Sequence, residues 1–435
     1  MTAPLPTRTR WTNWSGTVQA TPVRVERPTT VEEVAAVVRR AAQHGLKVRA
    51  VGAGHSFTPL AATDDVLLSL DAFSGIESLD AAAGTVTVRA GTRLGVLGDA
   101  LHARGWALEN LGDIDTQSVA GAVSTGTHGT GLGLGSLSTQ VQALTLVDGR
   151  GAVVTVPPGD ERRRAAALAL GALGVLTHVT LRVRPAYALH CAVRPARLSD
   201  MLALLPEYAR SRRHFEFFWV PHTDTVQAKW THEVPLDMAH ERGARGALNE
   251  LLLENGALWL LSATSRRWPR ATPAVCRATA LAITPQDRVG AAHRVFRSAR
   301  LMRFREMEYA VPVAAAASAV RDLRAAFARW AYPVNFPVEV RFVRGDDLLL
   351  SPASGGDVAF IAVHTFQGVP HDRYFADAEA IFRAHGGRPH WGKMHGLSAA
   401  ELSRLYPGWA DFQAARAVLD PDGRFVTPYL ARLLG

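Results

Sequence analysis

From residue 29 to 45 apolar side chains recur at helical spacing. Val31, Val34, Ala35, Val38, Ala41 and Ala42 fall on one stripe, which predicts an amphipathic helix. Thr30 with Glu33 fits a capping box, and Gly45 sits where a C-terminal cap belongs. The pattern then changes. Leu46 to Val51 reads as a strand that runs directly into Gly52-Ala53-Gly54-His55-Ser56. Strand-like runs follow at Val66–Leu70 and Thr85–Ala90, then a helix over Leu94–Arg104. Ser118 to Gly135 reads as a long loop of small residues. Val141–Val147 and Ala152–Val156 predict a hairpin around Asp148-Gly149, residues 162–171 a helix, and Gly174–Val183 a strand. Pro185 closes this region, and a domain boundary is expected near residue 187.

The second half alternates differently. Phe215–Val220 and Thr225–Thr231 read as paired strands, residues 237–300 as a helical zone, and Val338–Val343 and Val358–His364 as further strands. Helices are expected around 314–330 and 372–385. The fold class that follows is α+β, with an antiparallel sheet covered by helices in the C-terminal half. A length of 435 residues suffices for two or three domains.

Composition narrows the function classes. The net charge is +9, from 48 Lys and Arg against 39 Asp and Glu. The basic residues are scattered, and no helix-turn-helix, zinc-finger or RNA-binding signature accompanies them. A solvated basic face is expected, not a nucleic-acid partner; a modest positive field also suits an anionic cofactor. Cys191 and Cys276 lie far apart in no metal-type spacing, so no disulfide framework and no metal site are expected. The N-terminus shows no apolar leader. The apolar stretch Leu248–Ala263 is broken by Glu250, Glu254 and Asn255 and is short of a ~20-residue span, so it reads as a buried or interfacial helix. The expected location is the cytoplasm, with no transmembrane segment.

Two glycine-rich stretches carry candidate chemistry. Glycines let backbone N–H groups approach a phosphate without Cβ interference. Gly52-Ala53-Gly54 is not a dinucleotide fingerprint: Phe57 stands in place of the third glycine, Pro59 discourages the helix that should follow, and the helix precedes the strand. Gly121, Ser124, Thr125, Gly126, Thr127, His128, Gly129, Thr130 and Gly131 form the second stretch. Two such loops can enclose a pyrophosphate, or they are ordinary turns. Farther on, Glu339 and Arg341 share one face of a predicted strand, with Val338, Val340 and Phe342 on the other. Spacing alone suits a solvent-facing ion pair.

Longer segments alter this balance. VGAGHSFTPLAATDDVLLSLD and LENLGDIDTQSVAGAVSTGTHGTG resemble the FAD-binding domain of the vanillyl-alcohol-oxidase (PCMH) type. More narrowly the chain is similar to the sugar-1,4-lactone oxidases (gulonolactone and D-arabinono-1,4-lactone oxidases) and, further off, to alditol oxidases. PVEVRFVRGDDLLLSP, GGRPHWGKMHG and YPGWADFQAARAVLDPDGRFVTPYL carry the same resemblance in the C-terminal half. It spans nearly the whole chain from Trp14 and is weakest between about 232 and 305.

The resemblance implies a two-part α+β FAD-binding domain over 14–187 and a substrate domain over 188–435, with roughly the last 45 residues returning to the flavin. It implies FAD bound covalently through His55, the histidine of G-H-S; an untethered loop histidine is the alternative. Gly52, Ala53, Gly54, Ser56, Ser118, Gly121, Ser124, Gly126, Thr127 and His128 are then expected along the cofactor. Gly174, Val175 and Val179 are expected near its dimethylbenzene or adenine end. Glu339, Arg341 and Lys393 become catalytic candidates. Arg341 and Lys393 would stabilise alkoxide-like charge, and Glu339 would orient the substrate hydroxyls or take the proton. Ser118 is expected to contact substrate, as is His390, which as alternatives is the base or stacks beside Trp391. The implied reaction is oxidation of a hydroxyl of L-gulono-, L-galactono- or D-arabinono-1,4-lactone, with hydride transfer to flavin N5 and oxygen reduced to peroxide. Alditol oxidation, or a lactone dehydrogenase with another acceptor, is the alternative. Gly112, where dehydrogenase relatives carry alanine, points to oxygen as acceptor.

Overall fold

The computed structural model describes residues 9–240, 256, 258–297 and 302–435. Its first helix spans Val31–Gln43 and buries Val34, Ala35, Val37, Val38 and Ala41. Thr30 caps it by accepting from the Glu33 N–H. The Glu33 carboxylate reaches back to Thr29, one residue earlier than the expected box. Gly45 follows with φ of +67°, a left-handed conformation suited to glycine.

The helix leads into a small parallel sheet of Arg24–Glu26, Val66–Ser69 and Val48–Val51. Beside it lies a five-stranded antiparallel sheet in the order Val153–Val156, Val141–Val147, Val175–Arg182, Thr85–Arg89, Ile76–Asp80. These two sheets are the expected two-part α+β unit, and the predicted hairpin is present. The segment 162–171 is less regular than its pattern suggests: only Arg163–Ala166 is helical, and Leu170 takes a positive φ of 55°.

The Ser118–Gly135 stretch corrects the sequence reading. Val119–Thr125 is a two-turn helix, capped by the Ser118 hydroxyl, which accepts from the Gly121 N–H at 3.2 Å. It ends at Gly126 in the left-handed region, φ 74°. Small residues favour it because it lies tightly against the sheet, with Val119, Ala122 and Val123 buried. The N–H groups beyond its first turn are therefore used inside the helix.

The C-terminal half is built on one eight-stranded antiparallel sheet, ordered Gln286–Ala291, Ala188–Arg197, Thr225–Val234, His214–Trp219, Val338–Val343, Val358–Phe366, Phe304–Pro312, Arg388–Pro389. Helices Val313–Trp330 and Asp372–Ala384 pack against it. Four of its strands escape the sequence reading: Ala188–Arg197, Phe304–Pro312, the two-residue Arg388–Pro389 and Gln286–Ala291. The last falls in the expected helical zone. Only part of that zone is described, and residues 258–267 and Thr272–Leu281 within it are helical. Gln286–Ala291 is an edge strand, held in place by pairing with Ala188–Val193 and not by its own apolar pattern.

Two large apolar cores and one small cluster (Ala310, Val343, Ala353, Val358 and Phe360) form among the described residues. One core joins the N-terminal sheets to Trp391, Tyr406, Phe412, Phe425 and Leu430 from the chain's end. The other underlies the large sheet and holds Val338, Val340 and Phe342, as the alternation predicts. Phe342 stacks on Phe215 at 5.7 Å between ring centroids. Phe342→Ala should lower unfolding stability by about 3–5 kcal/mol, read from the denaturant midpoint of the loaded protein.

Candidate active site

The strand Val338–Val343 carries Glu339 and Arg341 on the face away from the apolar core, yet both are buried. They are no solvent-facing pair. Register explains what they meet. Glu339 lies opposite Ala362, and Ala362 lies opposite Glu308 on the next strand. Ala362 offers only a methyl, so a long side chain can pass over it. The Arg341 guanidinium does so, reaching Glu308 Oε1 at 2.7 Å and leaving a longer 3.4 Å contact from its Nε to Glu339.

Lys393 arrives by backbone docking. His390 N–H donates to the Glu308 carbonyl at 2.9 Å and Met394 N–H to the Glu306 carbonyl at 3.0 Å. The turn between them places the Lys393 ammonium 2.5 Å from Glu306 and over the Phe57 ring. His364 lies 3.4 Å from the other Glu306 oxygen. Glu306 and Glu308 are thus partners that the sequence reading missed. Their signal was present: an E-x-E at the same two-residue spacing as Glu339 and Arg341, between Phe304 and Tyr309.

Each carboxylate has a distinct electrostatic state. Burial acts to raise Glu306, but Lys393 and His364 outweigh it and hold its carboxyl well below the usual range. Burial also opposes ionisation of Glu308; Arg341 and His128 prevail and hold it ionised. Glu339 behaves oppositely. Burial pushes it up to about 7 against the pull of Arg341, helped by negative Asp113 and Glu216. Burial drives His390 down to about 3, so it is neutral. Its Nδ1 accepts from the Gly392 N–H at 3.0 Å, which places its proton on Nε2 and makes it a donor. It does not stack on Trp391, which packs on Tyr406 at 5.0 Å.

These groups line a cavity of about 750 Å³ with Trp14, Gly112, Gln117, Thr127 and His128. A second cavity, about 870 Å³, is walled by Gly52, Ala53, Gly54, Ser118, Gly121, Ser124, Gly174 and Leu176. His55, Ser56, Gln117 and Thr125 border both. The glycine wall is tight: a Cβ on Gly52 would lie 2.2 Å from Ser118 Oγ, and Gly54 has φ of +67°. Such a small-residue cradle fits a long nucleotide cofactor. Ser118 faces this cradle, not the acidic cavity. Thr127 and His128 face the acidic cavity, and Gly126 packs under Leu168. Val175 and Val179 belong to the apolar core, and the cavity wall here is provided by Gly174, which precedes their strand, and by Leu176.

His55 sits at the junction. Trp14 stacks on it at 5.2 Å, and its Nε2 lies 2.9 Å from the Thr116 hydroxyl. Burial, then Lys393 and Arg93, lower its pKa to about 4, so the imidazole is neutral at pH 7. Among the described residues two groups, His128–Glu308–His390 and Glu306–Glu339–His364, are compact enough for an ion. Arg341 and Lys393 already neutralise a carboxylate in each.

A family model described as D-arabinono-1,4-lactone oxidase matches residues 179–433, more than half the chain. The chain belongs to the D-arabinono-1,4-lactone oxidase family. A model of the FAD-binding domain matches residues 22–157, so this lactone oxidase family member is a FAD-dependent oxidoreductase. It is 40% identical to an L-gulono-1,4-lactone dehydrogenase of Mycobacterium tuberculosis, over 98% of this chain and 99% of that one. It is 33% identical to an L-gulonolactone oxidase of Scyliorhinus torazame, over 97% of each. An alditol oxidase of Streptomyces is 32% identical over 97% of this chain and 98% of that one. Cholesterol oxidase from B. sterolicum shares the fold, with a TM-score of 0.80, 21% identity and full coverage of both chains. Among the described residues no helix is long and apolar enough to cross a membrane.

Removing Glu308 from this family member strands the buried Arg341. Glu308→Ala should cost about 3–5 kcal/mol of stability, measured by denaturant unfolding, while Glu308→Gln should cost less.

Proposed function

We propose that this enzyme oxidises a ring or chain hydroxyl of an aldono-1,4-lactone of the L-gulono, L-galactono or D-arabinono type, with oxygen as acceptor and peroxide as product. The observation that carries it is the uneven charge pairing. Glu306 and Glu308 each hold a cation closely, whereas Glu339 keeps only a 3.4 Å contact and is raised to about 7. A carboxyl poised near neutrality beside two fixed cations suits removal of a hydroxyl proton.

The division of labour follows the two cavities. Residues 14–187 hold FAD through Gly52, Ala53, Gly54, Ser56, Ser118, Gly121, Ser124 and Gly174, and residues 188–435 supply the substrate chemistry. Bound FAD supplies the two-electron acceptor. Glu339 accepts the hydroxyl proton at its carboxylate. Arg341 and Lys393 stabilise the oxygen as it becomes alkoxide-like, and His390 donates from Nε2 to a substrate oxygen. Burial of Glu339, Arg341 and His390 strengthens their share of these interactions. His55 tethers the flavin covalently: its neutral ring is nucleophilic, and its place between the cavities suits the junction of ring system and chain. Gly112 keeps the cavity wall open to oxygen. An alanine Cβ there would lie 3.0 Å from the His128 carbonyl oxygen and narrow it.

Two alternatives have specific support. The relative named as a dehydrogenase favours a non-oxygen acceptor, and the relative named as an alditol oxidase favours an open-chain polyol. A panel of lactones and alditols, assayed for peroxide and again anaerobically with a dye acceptor, distinguishes them. Lactone-dependent peroxide supports the proposal; turnover with dye alone, or with alditols alone, contradicts it.

Glu339→Gln should retain flavin and lose about 10²–10⁴-fold in turnover, measured under saturating lactone. His55→Ala should release its flavin on acid denaturation, whereas the unmodified chain should carry flavin fluorescence through a denaturing gel.

A further inference from the structure

The segment 258–281 has an apolar pattern turned inside out. Residues 258–267 are helical. On this helix the small polar Ser262 and Ser265 are fully buried, while Trp259 is 52% and Leu260 61% exposed. The run Arg266-Arg267-Trp268-Pro269-Arg270 follows, exposed throughout, with Trp268 at 59%. The Arg267 guanidinium lies over the Trp268 ring at 5.6 Å. The next helix, Thr272–Leu281, buries Val275 and Cys276 and ends on Leu281, which is 87% exposed.

The inner side of this segment is anchored. Asn335 donates its amide to Ser262 Oγ at 3.0 Å, and Cys276 Sγ lies 3.8 Å from the Val334 carbonyl. Arg266 donates to the Gln367 carbonyl at 3.4 Å. Exposure of the tryptophans is thus a property of a docked face. Trp330, close along the chain to these anchor points, is also exposed, with Arg329 and Arg373 over its ring.

The charge is as one-sided as the exposure. Between residues 256 and 286 there is no Asp or Glu, against Arg266, Arg267, Arg270 and Arg277. Exposed tryptophan and leucine interleaved with arginine match the interfacial layer of a bilayer, where the indole sits at headgroup level and the guanidinium meets lipid phosphate. A second copy of the same face would set arginines against arginines. We infer that this face docks on an anionic lipid surface, leaving the protein peripheral and not membrane-spanning. None of these residues lines either cavity, so the inference stands apart from the proposed reaction.

The test is flotation of the FAD-loaded full chain with vesicles of phosphatidylcholine alone or containing phosphatidylglycerol. Co-flotation is expected with the anionic vesicles at low salt, and loss of it at high salt or with neutral vesicles. Arg267→Glu with Arg270→Glu, and separately Trp259→Ser with Trp268→Ser, should weaken partitioning about tenfold or more, with turnover in solution unchanged. Quenching of tryptophan emission by brominated anionic lipid reads the same contact in the unsubstituted protein. Absence of flotation and quenching at low salt overturns the inference, as does equal flotation of both double variants. A concentration-dependent dimer abolished by Trp268→Ser would assign the face to a second copy and overturn it equally.

Discussion

The site depends on two cations held by two adjacent glutamates on one buried strand. Arg341 and Lys393 come from different segments; buried Arg341 depends on Glu308 for a counter-charge, and half-buried Lys393 is held by Glu306. The strand Phe304–Pro312 therefore does more than complete a sheet. Its alternate side chains neutralise the cations that face the cavity, and its carbonyls receive the turn that carries Lys393. Once both cations are matched, Glu339 is left over, and burial then moves it towards neutrality. The acid–base poise of the site is thus a consequence of pairing two strands away.

The same economy of contacts joins the halves of the molecule. Phe57 N–H donates to the Gly392 carbonyl at 2.8 Å, tying the glycine-rich turn that bears His55 to the turn that bears Lys393. Gly131 N–H donates to the Phe342 carbonyl at 2.6 Å, and Phe342 N–H donates to the Thr130 hydroxyl at 3.1 Å. The strand of Glu339 and Arg341 is therefore fixed to the loop that follows the Val119–Thr125 helix. Cofactor cradle and charged cavity meet at His55 and Gln117 because these backbone bonds hold them in register.

Much of this was legible in the sequence. The Val31–Gln43 helix announced itself by its stripe and caps, and Val338–Val343 by its alternation. The long motifs around His55, Glu339 and Lys393 led to the family. What escaped did so for physical reasons. In Phe304–Pro312 nearly every residue is buried on both faces, so its burial does not follow the polar–apolar alternation that marks a half-exposed strand. Ala362 matters only by being small, which becomes visible once the register places it between Glu339 and Glu308. The Val119–Thr125 helix was hidden by Gly121 and its two alanines, whose smallness serves close packing as well as loop formation. Val175 and Val179 both join the apolar core, and the cavity wall beside them comes from Gly174 and Leu176, a choice of face that the all-apolar run does not reveal.

The most direct measurement is the pH dependence of flavin reduction by lactone, followed anaerobically in a stopped-flow instrument. If Glu339 takes the hydroxyl proton, the rate rises with pH and levels off above an inflection at about 7, where its carboxyl ionises. In Glu339→Gln the residual rate should lose that inflection while flavin stays bound. The same inflection persisting in Glu339→Gln would place the proton acceptor elsewhere and contradict the account.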